Sequence, residues 1–177
     1  MTLTQDDTVE IIPAVPEFIK LLIANEYSRA GELMSVVVPT GWPNDPDAIE
    51  GLSWHLKALE RDSNELLWRI RLVVLQSNRT VIGSINLKGM PDEDGTVEIG
   101  WGISEDYRRR GIATKATETV MEWAFSQPGV NRVIATIPTN NIGSERVAQR
   151  LGMRRTGEMQ RDLPVWVKEK EDRSREA

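Results

Sequence analysis

Three arginines, Arg108, Arg109 and Arg110, run directly into Gly111, Ile112, Ala113 and Thr114 in a chain whose formal net charge is −5. That spacing suits phosphate chemistry. A helix N-terminus leaves backbone N–H groups unpaired and carries partial positive charge, so it binds an anion wherever the chain is thin enough for close approach. Gly111 and Ala113 remove the bulk, while the arginines and Lys115 supply longer-range attraction. The same letters also describe an ordinary turn with a solvated basic edge. They meet neither the Walker pattern, since no Gly-Lys-Ser/Thr follows, nor the Gly-x-Gly-x-x-Gly of dinucleotide folds.

An anion site of this kind needs a strand before it and a helix after it, and the flanking pattern supplies both. "TVEIGWGI" reads as a strand ending near Ile103, and Ala113, Ala116, Val120 and Trp123 then recur on one helical face until Pro128-Gly129. Upstream, "VEII" predicts a short strand and Pro16 opens a helix carrying Phe18, Leu21, Leu22 and Tyr27. Asp45-Pro46 starts a second helix with Ile49, Leu52, Leu56 and Leu59 in one stripe. "LLWRIRLVVL", "TVIGSINLK" and "TVEIGWGI" form an antiparallel meander, with Ser77 to Arg79 and Asp94-Gly95 as its turns. Downstream come the buried strand "RVIATI", the helix "NIGSERVAQRLG" and a closing hairpin of "MRRTGEMQ" and "LPVWVK". The order predicts an α+β domain with a mixed, mostly antiparallel sheet of about seven strands and about four helices. Residues 1–167 form one domain in this reading, and 168–177 a frayed tail. Trp54, Trp68 and Trp123 fall at core positions, and His55 reads as a packed or edge histidine.

Composition narrows the chemistry. A chain of 177 residues, 40% apolar and 28% charged, suits one well-buried soluble core. It has no long apolar run, and "MTLTQDDTVE" has no signal-peptide pattern, so a cytoplasmic location with no membrane partner is expected. With no cysteine and a single histidine, thiolate nucleophiles, most zinc sites and catalytic triads are excluded. "NRT" at Asn78 to Thr80 is a hairpin turn rather than a glycosylation site. Residues 1–100 hold 8 Lys+Arg against 16 Asp+Glu, and residues 101–177 hold 14 against 11. An anion therefore belongs to the second half, and the first half suits a cationic partner.

The arrangement "VEIGWGISEDYRRRGIATKA", followed after a helix and a strand by "NNIGSERVAQRLGM", resembles the GNAT superfamily of acetyl-CoA-dependent N-acetyltransferases, most closely its RimJ/RimL-like branch, which acetylates N-terminal amines of ribosomal proteins. The resemblance is strong over about residues 80 to 160. The family's Arg/Gln-x-x-Gly-x-Gly/Ala loop is met by Arg108, Gly111 and Ala113. Its Asn-x-x-Ser and Leu-Gly-Phe are met by Asn141, Ser144, Leu151 and Gly152, with Met153 where the aromatic stands. The resemblance implies that Arg108, Arg109, Arg110, Gly111, Ile112, Ala113 and Thr114 wrap the pyrophosphate of acetyl-CoA. It also implies that the pantetheine arm lies along Trp101 to Ile103, and that Asn141 bonds that arm or caps its helix. Gly100 and Gly102 fit such a groove, and equally fit plain sheet irregularity.

The implied reaction is direct attack of an amine on the thioester, with no metal. Glu98 is the candidate base, since on a strand it shares a face with Gly100 and Gly102, although an exposed strand carboxylate reads the same way. Many relatives place a tyrosine seven residues after the asparagine to protonate the thiolate. Here that position is Ala148, which leaves Ser144 as donor or as a first-turn helix serine. Trp42, in "PTGWPN", is the candidate cover for the substrate amine. The acceptor is a peptide N-terminus, or else a polyamine or aminoglycoside. A non-catalytic acyl-CoA sensor and, last, a nucleotide-phosphate binder are the alternatives. No nucleic acid partner is expected. Dimers are common among relatives, but no pattern in the chain fixes an interface.

Overall fold

A computed structural model describes residues 8–171. In chain order the elements are β1 (Val9–Pro13), α1 (Pro16–Ile23), α2 (Tyr27–Met34), α3 (Pro46–Arg61), a 3-10 helix (Ser63–Trp68), β2 (Ile70–Leu75), β3 (Val81–Leu87), β4 (Thr96–Ile103), a 3-10 turn (Glu105–Tyr107), α4 (Ile112–Ser126), β5 (Arg132–Thr136), α5 (Ile142–Arg150), β6 (Arg154–Gln160) and β7 (Leu163–Glu169). The strands form one seven-stranded sheet in the order β1-β2-β3-β4-β5-β7-β6. Every neighbouring pair is antiparallel except β4 and β5. This is the mixed α+β architecture read from the element order.

Helices cover both faces over the middle of the sheet. Val73, Ile85, Val97 and Ile99 pack toward Ile112, Val120 and Met121 of α4. On the other face Ile70, Leu72 and Val74 meet Phe18, Ile19 and Leu22 of α1. Because both sides of β2 are covered, all six of its residues are buried and the usual polar alternation disappears. Each fully buried aliphatic side chain contributes about 1.5–3 kcal/mol relative to leaving it in water. Arg71 is the exception inside β2. Its Nη2 donates to the Leu67 carbonyl at 2.6 Å and its guanidinium lies 4.0 Å from the Trp123 ring centre, while burial lowers its pKa to about 10.

Several local expectations change. The apolar spacing from Pro16 through Tyr27 belongs to two helices, because the chain turns at Asn25 with φ 59° before α2 begins. Among the described residues five α-helices therefore stand where about four were expected. Leu66, Leu67 and Trp68, read as the start of a strand, wind instead into the 3-10 helix, whose first turn is capped by Asp62 accepting from the Asn64 N–H at 2.9 Å. Trp68 is buried and Trp123 half-buried, their rings 4.8 Å apart, whereas Trp54 is 47% exposed and not a core residue. Arg69 lies 4.7 Å over the Trp54 ring, so this tryptophan covers a buried cation. β7 continues through Glu169, and residues 172–177 of the expected tail lie outside the described residues.

His55 is buried on the inner face of α3 against the Trp54 ring edge. Burial first, then the nearby charges of Arg69 and Lys88, lower its pKa from 6.5 to about 4. Between those values the unfolded chain binds the extra proton. The stabilisation from a neutral His55 is thus fully present above about pH 6.5 and is lost as pH falls toward 4. At most about 3 kcal/mol is involved. Urea unfolding from pH 7 to 4 should show this loss in the wild type, and His55→Leu should flatten that part of the curve.

Candidate active site

The site begins where the single parallel pair comes apart. β4 and β5 pair only at Thr96↔Arg132, Val97↔Val133 and Glu98↔Ile134. Beyond Glu98, β4 stays with β3, from Ile99↔Leu87 to Ile103↔Gly83, while β5 follows β7 through Ala135↔Trp166 and Thr136↔Val165. The strands fork, and a cavity of about 440 Å³ runs from the fork to the first turns of α4 and α5. Trp101, Gly102 and Ile103 form the strand side. Trp101 carries an indole N–H that is buried without a hydrogen-bond partner among the described residues.

At the cavity mouth, α4 starts with Gly111 in the left-handed region, φ 81°, with no side-chain cap and no acidic residue in the first turn. The first helical bond is Lys115 N–H to the Gly111 carbonyl at 3.1 Å. Ile112, Ala113 and Thr114 thus enter the helix with first-turn N–H groups that have no carbonyl one turn back, and all three residues line the cavity. A helix start with nothing to neutralise it is suited to a multiply charged anion. Asn141 caps α5, its Oδ1 accepting from Ser144 N–H at 3.0 Å, and both residues line the cavity.

The other arginines divide by geometry. Arg108 and Arg109 line the cavity, with Arg108 Nε donating to the Ile103 carbonyl at 2.8 Å and so tying the loop to the strand end. Arg110 is not part of the lining. Its Nη2 donates to the Asp106 carbonyl at 2.9 Å and its guanidinium lies 5.4 Å from the Tyr107 ring centre. Arg146 and Arg150 add cationic lining from α5. Their spacing of four residues on one helix face was a legible signal that motif reading passed over. Tyr107, Gly143 and Val147 also line the cavity without having been anticipated.

Besides Arg110, two expected site residues lie outside the cavity lining. Trp42 is only 6% exposed, packs into the core on the α1 side and is not among the residues lining the cavity. From the same loop it is Asp45 that reaches the cavity, while its side chain caps α3 through Asp47 N–H at 3.0 Å. Glu98 is absent from the cavity lining. Its carboxylate receives Lys88 Nζ at 2.6 Å, Thr136 Oγ1 at 3.0 Å, Gln160 Nε2 at 3.3 Å and Arg161. Burial alone would raise its pKa, but the hydrogen bond and charge of Lys88, the Thr136 hydroxyl and the charge of Arg161 hold it below the ordinary carboxylate range. Ala148 is fully buried on the inner face of α5. Among the described residues no group of three or more His, Cys, Asp or Glu is placed to hold a metal, and no helix is long and apolar enough to cross a membrane.

A mixed sheet that forks at its β4–β5 pair, with an uncapped helix start lining the cavity that runs from the fork, is the arrangement to be placed among known folds. The chain belongs to the GNAT acetyltransferase domain family, whose model matches residues 16–154. It is 29% identical over 111 residues to the uncharacterized N-acetyltransferase YjdG of Bacillus subtilis, covering 63% of this chain and 66% of that one. It is 35% identical over 92 residues to YnaD of the same organism, covering 52% and 54%. The chain thus spans between half and two thirds of these relatives' length. Among solved structures, the ribosomal-protein-S5-alanine acetyltransferase of Vibrio fischeri superposes with a TM-score of 0.67 at 16% identity, covering 93% and 94% of the two chains. At that identity the likeness concerns the fold.

Proposed function

We propose that this chain is an N-acetyltransferase that moves the acetyl group of acetyl-CoA to a primary amine. The observation that carries the reading is the uncapped start of α4 at the mouth of the β4–β5 fork. The N–H groups of Ile112, Ala113 and Thr114, with Gly111 beside them, would hold the pyrophosphate, and Arg109, Arg146 and Arg150 would add attraction around it. The arm would lie along Trp101 to Ile103, with the amide N–H groups of Asn141 still available after its oxygen has capped α5.

In the reaction the amine nitrogen attacks the thioester carbonyl carbon, a C–N bond forms, the C–S bond breaks and sulfur leaves as thiolate. The amine loses one proton and the thiolate takes one up. A thiol pKa of about 8.5 makes thiolate a tolerable leaving group, so the Ser144 hydroxyl serves as a hydrogen-bond donor to it rather than as a strong acid. Among the described residues the one carboxylate in the cavity lining is Asp45, already engaged as a cap. A site with little base strength favours an amine that is partly neutral at pH 7, which means a peptide N-terminus near pKa 8 over an alkylamine near 10. The fully buried Ala148 favours a second reading, an acyl-CoA sensor without turnover.

Thiol release from acetyl-CoA, measured across peptide N-termini, polyamines and aminoglycosides, separates these readings. Release above hydrolysis with peptides first is the expected result. Binding of acetyl-CoA with no release for any amine would favour the sensor. Replacing both Arg146 and Arg150 with alanine should weaken acetyl-CoA binding about tenfold at low salt and less at 0.5 M, as screened charges require. Calorimetric titrations at the two salt concentrations check this.

A further inference from the structure

The backbone stops holding β4 to β5 at Glu98↔Ile134, yet a side-chain bridge crosses the opening just beyond. Thr136 lies two residues past Ile134, on the same face of β5, and its Oγ1 donates to Glu98 Oε1 at 3.0 Å. The same carboxylate is gripped by Lys88 Nζ at 2.6 Å, from the residue that follows β3. From the last residue of β6 it receives Gln160 Nε2 at 3.3 Å, and from the turn joining β6 to β7 it receives Arg161. Arg161 and Asp162 sit in left-handed conformations with φ 50° and 61°, as the two-residue turn that closes the β6–β7 hairpin at Gln160↔Leu163 requires. Arg161 Nη2 also lies 3.5 Å from Thr136 Oγ1, closing a ring of contacts across the fork. With its side chain only 10% exposed, Glu98 is a hub of structure rather than a group facing solvent.

We propose that Glu98, Thr136 and Arg161 form a clasp that sets the opening of the β4–β5 fork and thereby the fit of the thioester arm, making Glu98 a positioning residue. The inference rests on the proposed acetyl-CoA reading for its functional consequence, and on the fork alone for its structural one. Side-chain hydrogen bonds to a charged group are the stronger kind, so losing one contact should be visible in both. The charged groups facing the carboxylate are Lys88 and Arg161, and neither is replaced in shape by the Glu98→Gln change, which keeps an acceptor for Thr136 and removes the charge.

The test uses the full chain and three variants, Glu98→Gln, Thr136→Val and Arg161→Ala. In the ligand-free protein, hydrogen exchange at the amides of Ala135 to Ile137 is expected to rise about tenfold in Thr136→Val and Glu98→Gln. Calorimetric binding of acetyl-CoA should weaken roughly three- to tenfold in each variant, with the losses of Glu98→Gln and Thr136→Val less than additive in the pair. The acidic limb of the kcat pH profile should persist in Glu98→Gln. Wild-type exchange together with wild-type binding in Thr136→Val and Arg161→Ala would overturn the clasp. So would a more than hundredfold loss of kcat and of the acidic limb confined to Glu98→Gln, which is the signature of a base. Failure of the wild type to bind acetyl-CoA would sink the proposed function instead, and the exchange measurement on the ligand-free protein would still decide the clasp.

Discussion

Gly111→Leu is expected to bind acetyl-CoA at least about a hundredfold more weakly than the wild type while still folding. Gly111 has φ 81°, where a residue with a β-carbon costs about 1–2 kcal/mol. A β-carbon there would meet no atom within 4 Å, so the fold can accommodate it. The open space is that of the cavity mouth, because Gly111 is itself a lining residue beside the unpaired N–H groups of the first turn. A leucine would therefore occupy the position proposed for the anion. Losing two charge-assisted backbone hydrogen bonds at about 1.5–3 kcal/mol each is enough for the hundredfold effect. Gly129 provides the control, since it has φ 80°, open space around its β-carbon position and no place in the cavity. Gly129→Leu should cost similar stability and leave binding unchanged. Calorimetry and thermal melts of the two variants side by side decide the matter. Arg109→Ala, in contrast, should weaken binding only a few-fold, because it removes attraction and leaves the backbone cradle in place.

Restoring the missing tyrosine is expected to damage the protein rather than improve it. Ala148 is 0% exposed, on the face of α5 turned toward the core that also contains Val120, Met121 and Leu151. A phenol ring at this position has to be fitted into space already filled, and overpacking typically costs 1–3 kcal/mol for far smaller additions. Ala148→Tyr should thus lose about 3 kcal/mol or more of stability, read from urea unfolding, with no gain in kcat for any amine. A stable variant with faster thiol release would mean that this helix can rotate its inner face toward the cavity, and the role given to Ser144 would fall.

The pattern of agreement follows the range over which each feature is encoded. The α4 start was legible because it depends on consecutive residues: a strand, a glycine that accepts positive φ, small side chains, then a helix. Asn141 was legible for the same reason, a cap and its first-turn partner being three residues apart. The strands and their meander order followed from short apolar or alternating runs bounded by turn residues. The break at Asn25 was missed because apolar spacing continues across it and one residue in a left-handed conformation is enough to start a new helix. Arg110 was counted with its neighbours because three identical letters do not reveal that the third folds back onto Asp106 and Tyr107.

By itself, then, the amino-acid sequence determined the fold class, the basic second half and the helix start after Gly111, all properties of local pattern and composition. Only the tertiary structure decided what Glu98 and Trp42 do. The partners of Glu98 come from residues 88, 136, 160 and 161, brought together by strand order and by the place where parallel pairing ends. Trp42 is buried because α1 and the sheet close over its loop, and Asp45 reaches the cavity instead. A side chain's environment depends on distant segments meeting across the sheet, and no window of neighbouring residues contains that information.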